Sequence, residues 1–119
     1  MFQELLKEVI EQTDGAIAGL VMGFDGITVD SYVSDTANLN VETVGMEYSV
    51  VLTQIKQAAE MLALGATSEV TVQAANMTTV IRLLNDEYFV ALAIQPLGNL
   101  GKARYLLRVQ APKLLDGLS

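Results

Sequence analysis

GAIAGLVMGFDGITVDSYV, residues 15–33, is the stretch on which the reading of this chain turns. Its Asp25-Gly26 pair lies between two apolar, β-prone runs, a strong short-range signal for a β-hairpin. Gly26, and at modest cost Asp25, can take the positive φ that a two-residue type I′ turn requires. Such a turn sets Phe24 directly against Ile27, with both side chains on one face. The first strand, AIAGLVMGF, is apolar on both alternating faces, as in a strand covered on each side. The second, ITVDSYV, alternates: Ile27, Val29, Ser31 and Val33 on one face, Thr28, Asp30 and Tyr32 on the other. Hairpin tips are usually wet. Phe24 and Ile27 therefore either finish the core row Leu20-Met22-Phe24 or form a surface anchor with Asp25 as a directional acceptor.

Outward from the hairpin, helical and strand periods alternate clearly. Phe2, Leu5, Leu6, Val9 and Ile10 make one stripe of a helix over 2–13, which Asp14-Gly15 ends. After the polar loop SDTANLN, Asn40 is placed to cap a long helix over about 41–64. That helix carries two seams. One is Val41, Val44, Tyr48, Val51, Ile55, Ala58 and Leu62; the other is Met46, Val50, Thr53, Gln57, Met61 and Leu64. A helix lying on one sheet needs a single seam, so the second implies a further surface to bury. Gly65 is expected at the C′ position of this helix. Strands follow over 69–75, 78–84 and 88–94, the last apolar on both faces and hence central. A final helix starts near Asn99, and Pro112 is expected to kink or interrupt it.

The predicted order is α-β-β-α-β-β-β-α. This is an α+β sandwich, with one five-stranded, mostly antiparallel sheet and helices on both faces. At 119 residues, the chain is expected to form a single domain over 1–119. Hydrophobic residues make up 51% and charged residues only 18%. That balance argues against disorder and for apolar surface hidden by a partner. The net charge of −7 disfavours nucleic acid and anionic membranes as ligands. The amphipathic N-terminus lacks the apolar run of an export signal, and no stretch is apolar enough for membrane insertion, so the expected location is cytoplasmic.

Chemistry has few places to reside. The chain has no histidine and no cysteine, which removes the usual general base, thiol nucleophile and zinc ligands. Its acidic residues are scattered over helix exteriors and turns. GNLGK, residues 98–102, fails as a phosphate loop because Pro96 stands at the earlier glycine position and Ala103 follows the lysine. No enzyme activity, cofactor or metal is expected. From Gly98 onward, however, Lys102, Arg104, Arg108 and Lys113 face one acid, Asp116, while the preceding residues hold three basic and thirteen acidic side chains. The last helix is therefore a positive strip on a negative body. It is either a solvated, self-complementing face or a dock for an acidic partner surface.

GAIAGLVMGFDGITVDS resembles the opening hairpin of roadblock/LC7 domains. FVALAIQPLGNLGKARYLLR resembles their closing strand and the Leu-Gly-x-x-Arg start of their final helix, here Leu100, Gly101 and Arg104. The likeness covers nearly the whole chain and is nearest the bacterial MglB/MglC type, with Phe24, Asp25 and Ile27 favouring the MglC side. The resemblance implies a homodimer, with the long helix beside its copy and an edge strand continuing the sheet. The residues so implicated are Val44, Tyr48, Val51, Ile55, Val70, Val72 and Ala74. It further implies a non-enzymatic adaptor in cell polarity and gliding motility, concentrated at cell poles through its partners. Phe24, Asp25 and Ile27 would bind a roadblock-type regulator of the MglB kind or a polarity scaffold, and so act indirectly on a Ras-like small GTPase. Two other readings are direct GTPase activation, with Arg82 and Arg104 as candidate fingers, and a small-ligand sensor in the sheet–helix crevice.

Overall fold

The computed structural model describes residues 2–35 and 37–118. Its elements are α1 (Phe2–Gln12), β1 (Ala16–Gly23), β2 (Thr28–Val33), α2 (Val41–Met61), β3 (Glu69–Gln73), β4 (Thr78–Leu83), β5 (Tyr88–Ile94) and α3 (Leu100–Leu118). The strands form one sheet in the order β2-β1-β5-β4-β3, antiparallel at every pairing. The two strands that read as apolar on both faces, β1 and β5, are interior. β2 and β3 are the edges.

Each face of the sheet buries its own core. On one side, α1 and α3 pack Leu6, Val9, Ile10, Ala103, Leu107 and Leu114 onto Val21, Val80, Val90 and Leu92. On the other, α2 brings Val41 and Leu52 onto Ala18, Leu20, Met22, Ile81 and Phe89. Alternation along the strands assigns these sets. In β1 Ala18, Leu20 and Met22 face α2, while Val21 faces the α1–α3 layer. The alternation breaks at the start of the strand, where the pairing with β5 shifts register between Ala16 and Ala18 and Ala16 packs on the α1–α3 side.

The hairpin differs from its sequence reading. Gly26 N–H donates to the Gly23 carbonyl (2.9 Å), and Gly23 N–H donates to the Ile27 carbonyl (2.9 Å). The loop is thus the three residues Phe24, Asp25 and Gly26, with only Gly26 at positive φ (86°). This is a type I turn followed by a left-handed glycine, not a two-residue type I′ turn. Ile27 is consequently opposite Gly23, and Phe24 does not pair across the hairpin. The cause lies outside it: Phe24 N–H donates to the Glu87 carbonyl (3.0 Å) in the neighbouring β4–β5 turn. A second irregularity follows at once. Val21 pairs with Asp30 but Met22 pairs with Thr28, so Val29 is an unmatched bulge. The extra residue breaks the alternation expected for β2, and Thr28 joins the face it was expected to oppose.

Helix α2 also departs from expectation. Its buried stripe is Val41, Gly45, Ser49 and Leu52, and the stripe was invisible to hydrophobic patterning because its middle is small and polar. A Cβ on Gly45 would run into the Leu20 side chain and lie 3.0 Å from the sulfur of Met22. The helix therefore rides on β1 at a distance only glycine permits. Alanine for glycine inside a helix ordinarily gains about 1 kcal/mol. Here Leu20 and Met22 are fully buried and have nowhere to go. Gly45→Ala is expected to lower stability by about 1–3 kcal/mol in urea unfolding; a gain would mean that the contact can relax.

The end of α2 corrects the assignment of Gly65. Leu62 is the C-cap, and Ala63, at φ 55°, holds the left-handed position. Leu64 N–H donates to the Ala59 carbonyl (2.9 Å) and Ala63 N–H to that of Glu60 (3.0 Å). These two bonds make a Schellman motif with alanine where glycine is usual. At the other end, Asn40 accepts from Thr43 N–H as expected (3.2 Å). Helix α3 is capped by Asn99, which accepts from Lys102 N–H (3.0 Å), and it continues through Pro112 without interruption. The carbonyl deprived of its partner is that of Arg108, on the solvent side where water can replace the bond. Gly98, in the run that failed as a phosphate loop, is where the chain crosses Gly15. A Cβ on Gly15 would come within 2.5 Å of the Gly98 Cα. No described helix is long and apolar enough to cross a membrane.

Candidate protein-interaction surfaces

Three surfaces emerge from this framework. The first is the hairpin tip. Phe24 is half-buried, its ring 5.3 Å from that of fully buried Phe89 and tilted by 42°. Lys56 Nζ, from α2, lies over the Phe24 ring, 3.9 Å from its centroid, and donates to the Asp86 carbonyl (3.2 Å). Phe24 thus extends the α2-side core while remaining partly exposed. Ile27 is 67% exposed. Asp25 is exposed, and its Oδ1 accepts from Ile27 N–H (3.0 Å). Beside the tip, Gly23, Phe24, Asp25, Asp86, Glu87 and Tyr88 line a shallow cleft of about 240 Å³. Lys56, Asp86 and Glu87 were not singled out from the sequence. Asp86 and Glu87 come beside Phe24 because β1 pairs with β5, and Lys56 because α2 packs across the same sheet face; nothing local to those residues records either contact.

The second surface is the outer side of α2 together with the edge of β3. Met46, Val50, Thr53, Gln57, Met61 and Leu64 are all exposed, with Val50 at 61% and Met61 at 87%. Of the other implicated residues, Val51 is exposed, whereas Val44, Tyr48 and Ile55 are half-buried at the margin of the contact stripe. Val70 and Val72 are half-buried on the α2 side of β3, opposite Ile81 and Thr79. Ala74 lies just past the last residue of β3, in the turn closed by its N–H to the Met77 carbonyl (3.0 Å). The outer edge of β3 has no strand beside it.

The third surface lies across the sheet, where α3 passes β3 and β4. Arg104 grips Glu69 through two parallel bonds, Nε to Oε1 at 3.0 Å and Nη2 to Oε2 at 2.9 Å. That hydrogen bond holds the Glu69 carboxyl below the ordinary glutamate range against a partial burial that pushes it up, and the charges of Arg104, Arg82 and Arg108 add to the lowering. A carboxylate with a lowered folded-state pKa adds stability above its unfolded value and loses it as pH falls through the folded value. Melting between pH 7 and pH 3 should therefore fall more for the parent chain than for Glu69→Gln, the two converging in acid. Parallel curves would show that the pair contributes nothing.

A five-stranded antiparallel sheet between an α1–α3 layer and a single long α2, with an open β3 edge, defines a roadblock/LC7 domain. The chain is similar to MglC from Myxococcus xanthus, with 47% identity over 94% of each chain and a TM-score of 0.68. It is therefore a member of the roadblock/LC7 family, of its MglB/MglC type. The gliding protein MglB from Thermus thermophilus shares the fold (16% identity, 91% of this chain and 81% of that one, TM-score 0.80). So does a roadblock/LC7 domain from Streptomyces avermitilis (11% identity, 95% and 97%, TM-score 0.76). No family model and no curated protein matches the sequence.

Proposed function

We propose that this chain is a dimeric adaptor that works by binding rather than by catalysis, in the polarity and gliding-motility systems suggested by its MglC and MglB relatives. The observation that carries this reading is the outer seam of α2. A well-formed helix of 21 residues leaves Met46, Val50, Val51 and Met61 in water, an arrangement expected of a surface that is covered in use. A second copy related by a two-fold axis perpendicular to the sheet would pair the β3 edges antiparallel and keep both α2 helices on one face. The half-buried Val70 and Val72 lie on that same face. Val51 then belongs to the seam, Val44, Tyr48 and Ile55 to its margin, and Ala74 to the end of the strand pairing.

The tip of Phe24, Asp25 and Ile27 is the partner-binding surface in this reading. It would dock a roadblock-type regulator of the MglB kind or a polarity scaffold, and so bias a Ras-like small GTPase indirectly. Two tips at fixed separation on one dimer would add avidity without further contacts. Light scattering at micromolar concentration tests the dimer: the expected mass is twice the 12.8 kDa of one chain, and a monomer overturns it. Ile27→Asp tests the tip. Because Ile27 is mostly exposed, stability should change by no more than about 0.5 kcal/mol, while capture of a purified MglB-type protein is lost. Undiminished capture would remove Ile27 from the site.

A further inference from the structure

We propose that the trough between the solvent face of α3 and strands β3–β4 docks an acidic polypeptide segment, with Arg82, Arg104 and Arg108 as its carboxylate receptors. The trough begins as a cleft of about 260 Å³ lined by Glu69, Arg82, Gly101, Arg104, Tyr105 and Arg108. Through Arg104 it continues into a wider depression bordered by Thr71, Gln73 and Leu100. Three guanidinium groups thus meet one carboxylate on a chain whose net charge is −7. Among the described residues, Glu69 and Arg104 form an ion pair, while Arg82 and Arg108 form none. Arg82 is fixed directly across the β-ladder from Glu69, and the Arg108 guanidinium sits 5.7 Å from the Tyr105 ring at the rim.

Glu69 shows what the trough recognises: a carboxylate taken by a planar, two-pronged donor. One such group leaves two guanidinium forks open, and exposed Tyr105 and Val109 alongside offer apolar contact to the rest of a peptide. The shape selects the occupant. An extended segment fits an open trough, whereas a bilayer or a nucleic-acid duplex would also meet the acidic remainder of the surface within a Debye length of about 10 Å. The site lies on the opposite face of the sheet from α2 and away from the tip, but it shares β3, through Glu69, Thr71 and Gln73, with the proposed dimer edge.

Fluorescence anisotropy of the full chain with a short fluorescein-labelled Glu/Leu peptide tests the assignment. Saturable binding is expected at low salt, weakening at least about tenfold between roughly 50 and 300 mM NaCl. Arg82→Gln with Arg108→Gln should weaken it about tenfold or more at unchanged melting temperature. Arg108→Gln alone, at an exposed position, gives the same direction should the pair of changes disturb folding. Glu69→Gln removes the resident competitor and should tighten binding about threefold. Parent-like affinity in the arginine variants overturns the proposal, as does equal binding of a Lys/Leu peptide. Displacement of the acidic peptide by inorganic phosphate or phosphatidylserine vesicles at equal charge also overturns it, by reassigning the arginines to phosphate groups.

Discussion

A Val50→Asp chain is expected to scatter light as a 12.8 kDa monomer at concentrations where the parent has twice that mass. Val50 is exposed in the single chain, so the fold should be unchanged by circular dichroism. In the proposed dimer, the two-fold axis brings each substitution in twice. An aspartate forced into an apolar seam without a partner costs about 2 kcal/mol or more, and two cost about 4. Dimer affinity should therefore drop at least about a thousandfold. A Val50→Asp chain that remains dimeric would move the interface off α2.

The second large effect belongs to Phe89. Its ring is fully buried at the middle of the α2-side core and is the platform for Phe24, 5.3 Å away. Phe89→Ala should cost about 3–5 kcal/mol in urea unfolding, a large part of the roughly 5–15 kcal/mol that holds a domain together. Because that loss can unfold the chain outright, Phe89→Leu supplies the companion measurement. It should cost no more than about 1.5 kcal/mol and keep the chain folded, yet leave Phe24 without its aromatic support. Reduced capture of an MglB-type protein by folded Phe89→Leu would show that the tip is held in place from beneath. Full capture would mean that Lys56 and the Glu87 carbonyl position Phe24 by themselves.

These two cases mark what can be read from one dimension. Periodicity placed every helix and strand in order, because amphipathic stripes of period 3.6 and alternations of period 2 are local properties. It marked β1 and β5 as interior, since strands covered on both faces have no polar side. It also showed that α2 carries more apolar surface than one sheet can cover. The stripe on which α2 actually rests escaped notice: Gly45 and Ser49 pack through the absence of a side chain, and hydrophobicity does not register absence.

The tip shows the same division. Asp25-Gly26 by itself determined that the chain reverses there, because few residues tolerate that turn and glycine tolerates it best. Whether the loop held two residues or three was decided elsewhere, by the Glu87 carbonyl that takes the Phe24 N–H and by the Phe89 ring that holds its side chain. The positive strip on α3 was likewise legible as charge, but only the β3–β4 ladder gathers Arg82 and Glu69 beside Arg104 and Arg108. Sequence determined the elements because their forces act within a few residues. Tertiary structure decided the surfaces because each joins side chains from strands and helices far apart in the chain.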